Sequence, residues 1–281
     1  MSLTFFSALF DNPFLQMALL GGLLASITSG VIGSYVVIKR ISFLAGSIAH
    51  SVLSGMGICL FLQYFLNAPG IKPLYGAFFA AIFSALLIGY IHRRYEQRED
   101  SVIAALWSSG MAIGVIFISI TPATTVNLLD FLFGNILWIS KADIFWLVVI
   151  DLIILFFVSV FYTRFLAICF DETLCYLRKI LVNRTYLLLL SLIALSIVLL
   201  IKVMGIILLI AMLTIPATIA SMYTHRLSKM MLLATLLSMG IFFLGLLVAY
   251  ETNFPPGATI ALIAAITYGF ALFSQRKKAL G

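Results

Sequence analysis

Long apolar runs separated by short polar breaks make up most of the chain. They lie near 14–38, 43–66, 73–92, 102–121 and 143–163, then 186–223, 230–250 and 257–274. Most are close to the ~20 residues with which an α-helix crosses a bilayer. The run from 186 to 223 is far longer, and Lys202 and Gly205 interrupt it. It predicts two helices, near 186–202 and 205–223. The expected fold is therefore an all-α, polytopic transmembrane bundle of about nine spans, or eight if one member of that pair does not cross fully.

Charge placement favours nine. With the N-terminus external and the C-terminus cytoplasmic, the inner loops receive Lys39, Arg40, Arg93, Arg94, Arg98, Arg164, Arg178, Lys179, Arg184, Arg226, Lys229, Arg276, Lys277 and Lys278. The outer side receives only Lys72, Lys141 and Lys202. Such an excess of basic residues on one side is the positive-inside pattern of membrane proteins. Removing one span would place Arg226 and Lys229 outside or invert the C-terminal tail.

Composition excludes the soluble classes. The 281 residues are 63% hydrophobic and 10% charged, against about 45–50% and 25% in soluble domains. The net charge of +7 follows from topology and does not call for a nucleic-acid partner. No basic residue precedes Lys39, so the first apolar run is expected to remain as a span rather than act as a cleaved signal. Cys59, Cys169 and Cys175 form no C-x-x-C pair and read as small buried hydrophobes. The chain is expected to be one transmembrane domain over 1–281, with one short cytoplasmic segment at about 164–185 that cannot build a core of its own. It carries no G-x-x-x-x-G-K-[ST] phosphate loop, so ATP-driven work would need a separate ATPase polypeptide.

Helices in lipid approach each other through small residues. Gly22, Ser26, Gly30 and Gly33 share one face of the first span. Ser101, Ala105, Ser108, Ala112 and Ser119 do so in the fourth, beside Gly110 and Gly114. After Gly205, a third face carries Ala211, Thr214, Thr218 and Ser221, and Pro216 there leaves the Met212 carbonyl without its usual donor. These faces suit close packing or a lined pathway.

The second span holds the most distinctive chemistry. His50 lies some 12 Å in from the cytoplasmic edge at about 1.5 Å per residue, with Gly46, Ser54 and Gly57 clearing space on its face. An ionisable residue at that depth marks a candidate functional site, and neutral imidazole is a common zinc ligand. A hydrogen-bonded packing residue fits the position equally well. Asp151, midway along the fifth span, is the carboxylate nearest the bilayer centre. It is a second candidate ligand, or a residue bonded to Ser or Thr. His92 and His225 fall at cytoplasmic ends.

Between the fifth and sixth spans, Phe170, Leu174, Leu177 and Leu181 make one apolar stripe. Asp171 and Glu172 begin the segment, and Arg178 and Lys179 stand near its end, which complements a helix dipole. A short amphipathic helix is expected, either lying in the membrane interface or docking as a coupling helix into an ATPase.

Several separated motifs together resemble one family, the membrane permeases of zinc/manganese ABC importers. Phe43 to Gly57 is similar to its second-helix motif, with His50 at the histidine. Ala105 to Gly114 (ALWSSGMAIG) matches its fourth-helix signature. Leu132 to Ser140 (LFGNILWIS) resembles "FGSILWIS", and Phe170-Asp171-Glu172 resembles the "FDEE" opening of the coupling segment. Gly205 to Ala220 resembles "GLLLVSALLVIPAATA", and Pro256 to Ile260 resembles "PSGATI". The chain departs from the pattern at Gly46 and Asn253, where many members carry acids.

The resemblance implies a multi-pass permease of the cytoplasmic membrane, with transport rather than enzymatic activity. It implies zinc as cargo, with manganese or iron as alternatives, and ATP bound on a partner ATPase. Further implied partners are an external metal-binding protein, a second permease copy forming a homodimer, and membrane lipid. His50 and Asp151 would meet the metal. Phe170, Asp171, Glu172, Leu174 and Leu177 would contact the ATPase, and Gly46, Ser54, Gly57, Thr214, Pro216 and Thr218 would line or pack the path. Two rivals stand beside this reading. One is an ion-coupled secondary transporter with Asp151 as the ion site. The other is an intramembrane hydrolase using Ser54, which lacks G-x-S-x-G and a second histidine at membrane depth.

Overall fold

The computed structural model describes residues 5–68, 70–94, 99–122, 128–134, 136–170, 175 and 181–280. Among them there are ten α-helices and no strand. These are α1 (Phe5–Asp11), α2 (Pro13–Ile38), α3 (Ser42–Phe65), α4 (Pro73–Arg94) and α5 (Glu99–Ser119), followed by α6 (Leu128–Phe133), α7 (Lys141–Phe170), α8 (Val182–Tyr223), α9 (Leu227–Thr252) and α10 (Pro256–Leu280). Eight, α2 to α5 and α7 to α10, are long and apolar enough to cross a membrane. This is the all-α, multi-span bundle that the hydropathy pattern predicts. Helices satisfy their own backbone groups, which is what hydrocarbon demands of a spanning segment.

The long run is α8, of 42 residues, and it is broken where expected. Gly205, at φ 73° and ψ 170°, is not helical, so the segment is two helices joined at that residue. Two further elements were not evident from hydropathy, the short helices α1 and α6.

The described chain divides into two compact units. The first comprises Met1–Arg40, Leu129–Ser159 and Leu199–Gly281. Its α1 is tied down by sequence-distant partners. The Phe5 amide donates to Glu251 at 3.0 Å, and the Phe5 ring meets Phe243 and Tyr250 edge-on. Asn12 caps α2 by accepting from the Phe14 amide, with Pro13 opening the helix. At its other end α9 stops on Asn253, in the left-handed conformation at φ 57°. Asparagine tolerates that conformation at a helix C-terminus.

The glycine face of α2 is a packing face. A β-carbon on Gly22 would run into the Phe242 ring, one on Gly30 into the Thr235 backbone, and one on Gly33 into the Leu213 carbonyl. Close by, Ala217, Ala220, Met230 and Ala234 form a fully buried cluster. Three segments that are far apart in sequence also meet within this unit. A β-carbon on Gly134 would lie 2.6 Å from the Gly205 nitrogen, one on Gly205 would lie 2.5 Å from the Phe133 carbonyl carbon, and one on Gly257 would strike the Phe133 oxygen. Backbone therefore lies directly on backbone, which only glycine permits.

The second unit comprises Ile41–Leu128 and Val160–Val198. Here α3 is the central helix and α4 and α5 pack on it. Gly55 of α3 faces Gly76 of α4 so closely that a β-carbon on either would meet the other's carbonyl. Gly57 opposes Gly114 of α5, and Gly110 opposes Ser51.

Candidate functional site

The α3–α5 contact is where the second unit brings chemistry together. The small residues read from the sequence allow it. The Ser47 hydroxyl donates to the Ile103 carbonyl at 3.0 Å, and a β-carbon on Gly110 would come within 2.7 Å of Ser51 Cα. Between these two fastenings, His50 of α3 lies against Trp107 of α5. The rings are stacked, with centroids 4.3 Å apart and planes 21° apart. His50 is 8% exposed, and its Nδ1 is buried with no hydrogen-bond partner among the described residues.

Of the residues predicted around His50, Gly46 is buried in α3. Ser54 is half-buried and donates to the Ser51 carbonyl at 2.6 Å, so its hydroxyl is engaged by its own helix. Gly57 is spent on the contact with Gly114. The imidazole is left as the candidate coordinating group of this cluster. Among the described residues, no three His, Cys, Asp or Glu side chains are placed to hold a metal ion together.

The first unit holds Asp151, Thr214, Pro216 and Thr218. Asp151 of α7 is 4% exposed and accepts a hydrogen bond from the Thr28 hydroxyl of α2, while its Oδ2 is buried without a partner among the described residues. A carboxylate in hydrocarbon is costly unless it is paired or hydrogen-bonded, and Thr28 meets part of that need. Asp151→Asn retains an oxygen to accept from Thr28, whereas Asp151→Leu does not. Leaving a buried hydroxyl unmatched costs about 1–3 kcal/mol. The Leu variant should therefore unfold at a lower temperature than the Asn variant after detergent purification. Equal melting points would show that Thr28 does not hold this side chain.

Thr214 and Thr218 donate to the Ile210 and Thr214 carbonyls, each at 2.7 Å, one turn back along α8. These bonds bracket the buried Pro216 and leave the threonine face half-exposed. Phe170 ends α7 and is exposed. The coupling residues Asp171, Glu172, Leu174 and Leu177 lie outside the described residues, as does the side chain of His92, while His225 is exposed.

Sequence reasoning missed Trp107, Thr28, Gly134 and Gly257 as structural partners. Trp107 stood inside the fourth-helix signature and Gly134 and Gly257 inside two other motifs, but a motif does not say what its residues touch. Thr28 carried no signal, being one hydroxyl among several in α2.

A sequence profile described as "ABC 3 transport family" matches residues 11–275. The chain is 46% identical over 264 residues to a Chlamydia trachomatis protein named "Probable metal transport system membrane protein", covering 94% of this chain and 90% of that one. It is 32% identical over 276 residues to the manganese transport system membrane protein MntC of Listeria monocytogenes, covering 98% and 96%. Among solved structures it resembles PsaBC from Streptococcus pneumoniae in complex with Fab, with a TM-score of 0.85, 30% identity and 98% coverage of each chain. A profile match over nearly the whole chain, relatives aligned end to end and the same helical fold agree, and the chain belongs to the ABC 3 transport family.

Proposed function

We propose that this chain is the membrane permease of an ATP-driven importer that carries a divalent metal across the cytoplasmic membrane by alternating access. The observation that carries the proposal is the family match over residues 11–275 of a chain built almost entirely from membrane-length helices. The charge asymmetry supports an external N-terminus and a cytoplasmic C-terminus. ATP is bound and hydrolysed on a separate ATPase, which engages the segment begun by Phe170, Asp171 and Glu172. An external binding protein delivers the metal. A second copy of the permease is supported by α5, whose Ser101, Ala105, Ser108, Ala112 and Ser119 are left exposed by this chain. Small hydroxylic faces suit helix–helix contact in lipid.

Zinc is the cargo best suited to the donors. Imidazole suits zinc, whereas manganese favours carboxylate and carbonyl oxygens, and Gly46 and Asn253 stand where many permeases of this kind have acids. The Listeria relative is named for manganese, so both metals belong in the assay. His50 serves as a transient ligand, consistent with conduction, which needs sites weak enough to release the ion.

Proteoliposomes holding the permease, its ATPase and its external binding protein test this. Uptake of radioactive zinc is expected to exceed that of manganese, and to be lost without the ATPase or when Asp171 and Glu172 are both changed to Ala. Greater manganese uptake would reassign the cargo. Uptake that ignores the ATPase and follows a proton or sodium gradient would replace this reading with the ion-coupled one built on Asp151.

A further inference from the structure

We propose that Trp107 is a positioning residue for His50, fixing the plane of the imidazole so that its free ring nitrogen meets the metal at a set angle. The inference rests on His50 being a metal ligand. A metal-binding histidine almost always anchors its other ring nitrogen on a carboxylate, carbonyl or water, and that bond sets the ring's orientation. Among the described residues no side chain or carbonyl anchors His50 in this way. Its Nδ1 is buried without a partner among the described residues, and Gly46, one turn earlier, offers no side chain.

Trp107 supplies orientation by another route. Its indole is stacked on the imidazole at 4.3 Å and 21°. A nitrogen lone pair lies in the plane of its ring, so a ring stacked on the face restricts rotation without blocking coordination at the edge. With Nδ1 enclosed by protein, Nε2 is the ring nitrogen left to meet the metal. A metal draws electron density from imidazole, and an electron-poor ring is attracted to the electron-rich indole face, as cations are. The stack therefore strengthens as metal binds.

The indole is itself held in place. Ile103, one turn before Trp107, accepts from Ser47. Gly110, just after it, presses on Ser51. These contacts flank His50 on α3, so the two helices hold histidine and tryptophan in register.

The test compares Trp107→Phe with Trp107→Leu in the reconstituted importer, using whichever of zinc or manganese it takes up. Leucine fills space without a π-face, while phenylalanine retains one. Trp107→Leu should raise KM by about tenfold, the lower end of the effect of losing an outer-shell partner, with little change in kcat. Trp107→Phe should restore KM most of the way to the wild-type value. A second readout uses the purified full chain with Trp138→Phe and Trp146→Phe, which leaves Trp107 as the sole indole of three. Metal should change its emission saturably, and His50→Ala should abolish the change. Equal KM for Leu, Phe and wild type, or emission indifferent to metal, would overturn the positioning role while His50 could remain a ligand. Normal uptake by His50→Ala would instead remove the ligand reading, and this inference with it.

Discussion

Gly205→Ala is expected to leave almost no stable protein in the membrane. Gly205 sits at φ 73° and ψ 170°, a region that is essentially glycine-only and costs other residues about 1–3 kcal/mol. A methyl group there would also lie 2.5 Å from the Phe133 carbonyl carbon and 2.7 Å from the Leu132 oxygen. Neither is the flexible end of a side chain, so relief requires the backbone to move. The strain and the overlap together are a large part of the 5–15 kcal/mol that holds a typical fold. The neighbouring Lys202–Asp143 ion pair cannot compensate. Lys202 is 50% exposed, and exposed pairs are worth about 0–1 kcal/mol. Yield and thermal midpoint after detergent extraction measure the effect. A wild-type midpoint would mean that the α8 break is not a rigid junction.

His50→Ala should assemble normally and lose transport. The substitution removes a ring lying between α3 and α5 without touching the glycine contacts that hold those helices together, so the complex should still form. At limiting metal, initial uptake should fall by about 100-fold or more, at or beyond the top of the 10–100-fold range for losing a partner outside the first coordination shell. His50→Gln should be nearly as inactive, because an amide keeps some volume and polarity but offers no ring nitrogen. Initial rates across a range of metal concentrations, normalised to assembled complex, provide the measurement. Unchanged uptake by either variant would reduce His50 to a packing residue.

The resemblance motifs acquire a physical explanation in the first unit. Leu132 to Ser140, Gly205 to Ala220 and Pro256 to Ile260 are well separated in the sequence. Gly134, Gly205 and Gly257 are the points at which they meet, each placed where a β-carbon would collide with another segment's backbone. Similarly, the glycine face of α2 reads from the sequence as packing or pathway. Its contacts with Phe242, Thr235 and Leu213 make it packing. The fourth-span signature divides in two, with Gly110 and Gly114 facing α3 while the serine and alanine positions remain uncovered.

Hydropathy and charge by themselves determined that the chain is a membrane bundle, where its long helices run, that the long run breaks near Gly205, and which orientation to expect. Those features depend on length, apolarity and the position of basic residues, which are local properties of the chain. Partnership was decided only by the tertiary structure. Helices that are apolar on nearly every side carry little sign of which face meets lipid and which meets protein, because both environments accept the same side chains. Thr28 beside Asp151, Trp107 over His50, and three glycines at one junction each depend on residues far apart in sequence, so the folded chain alone makes these pairs.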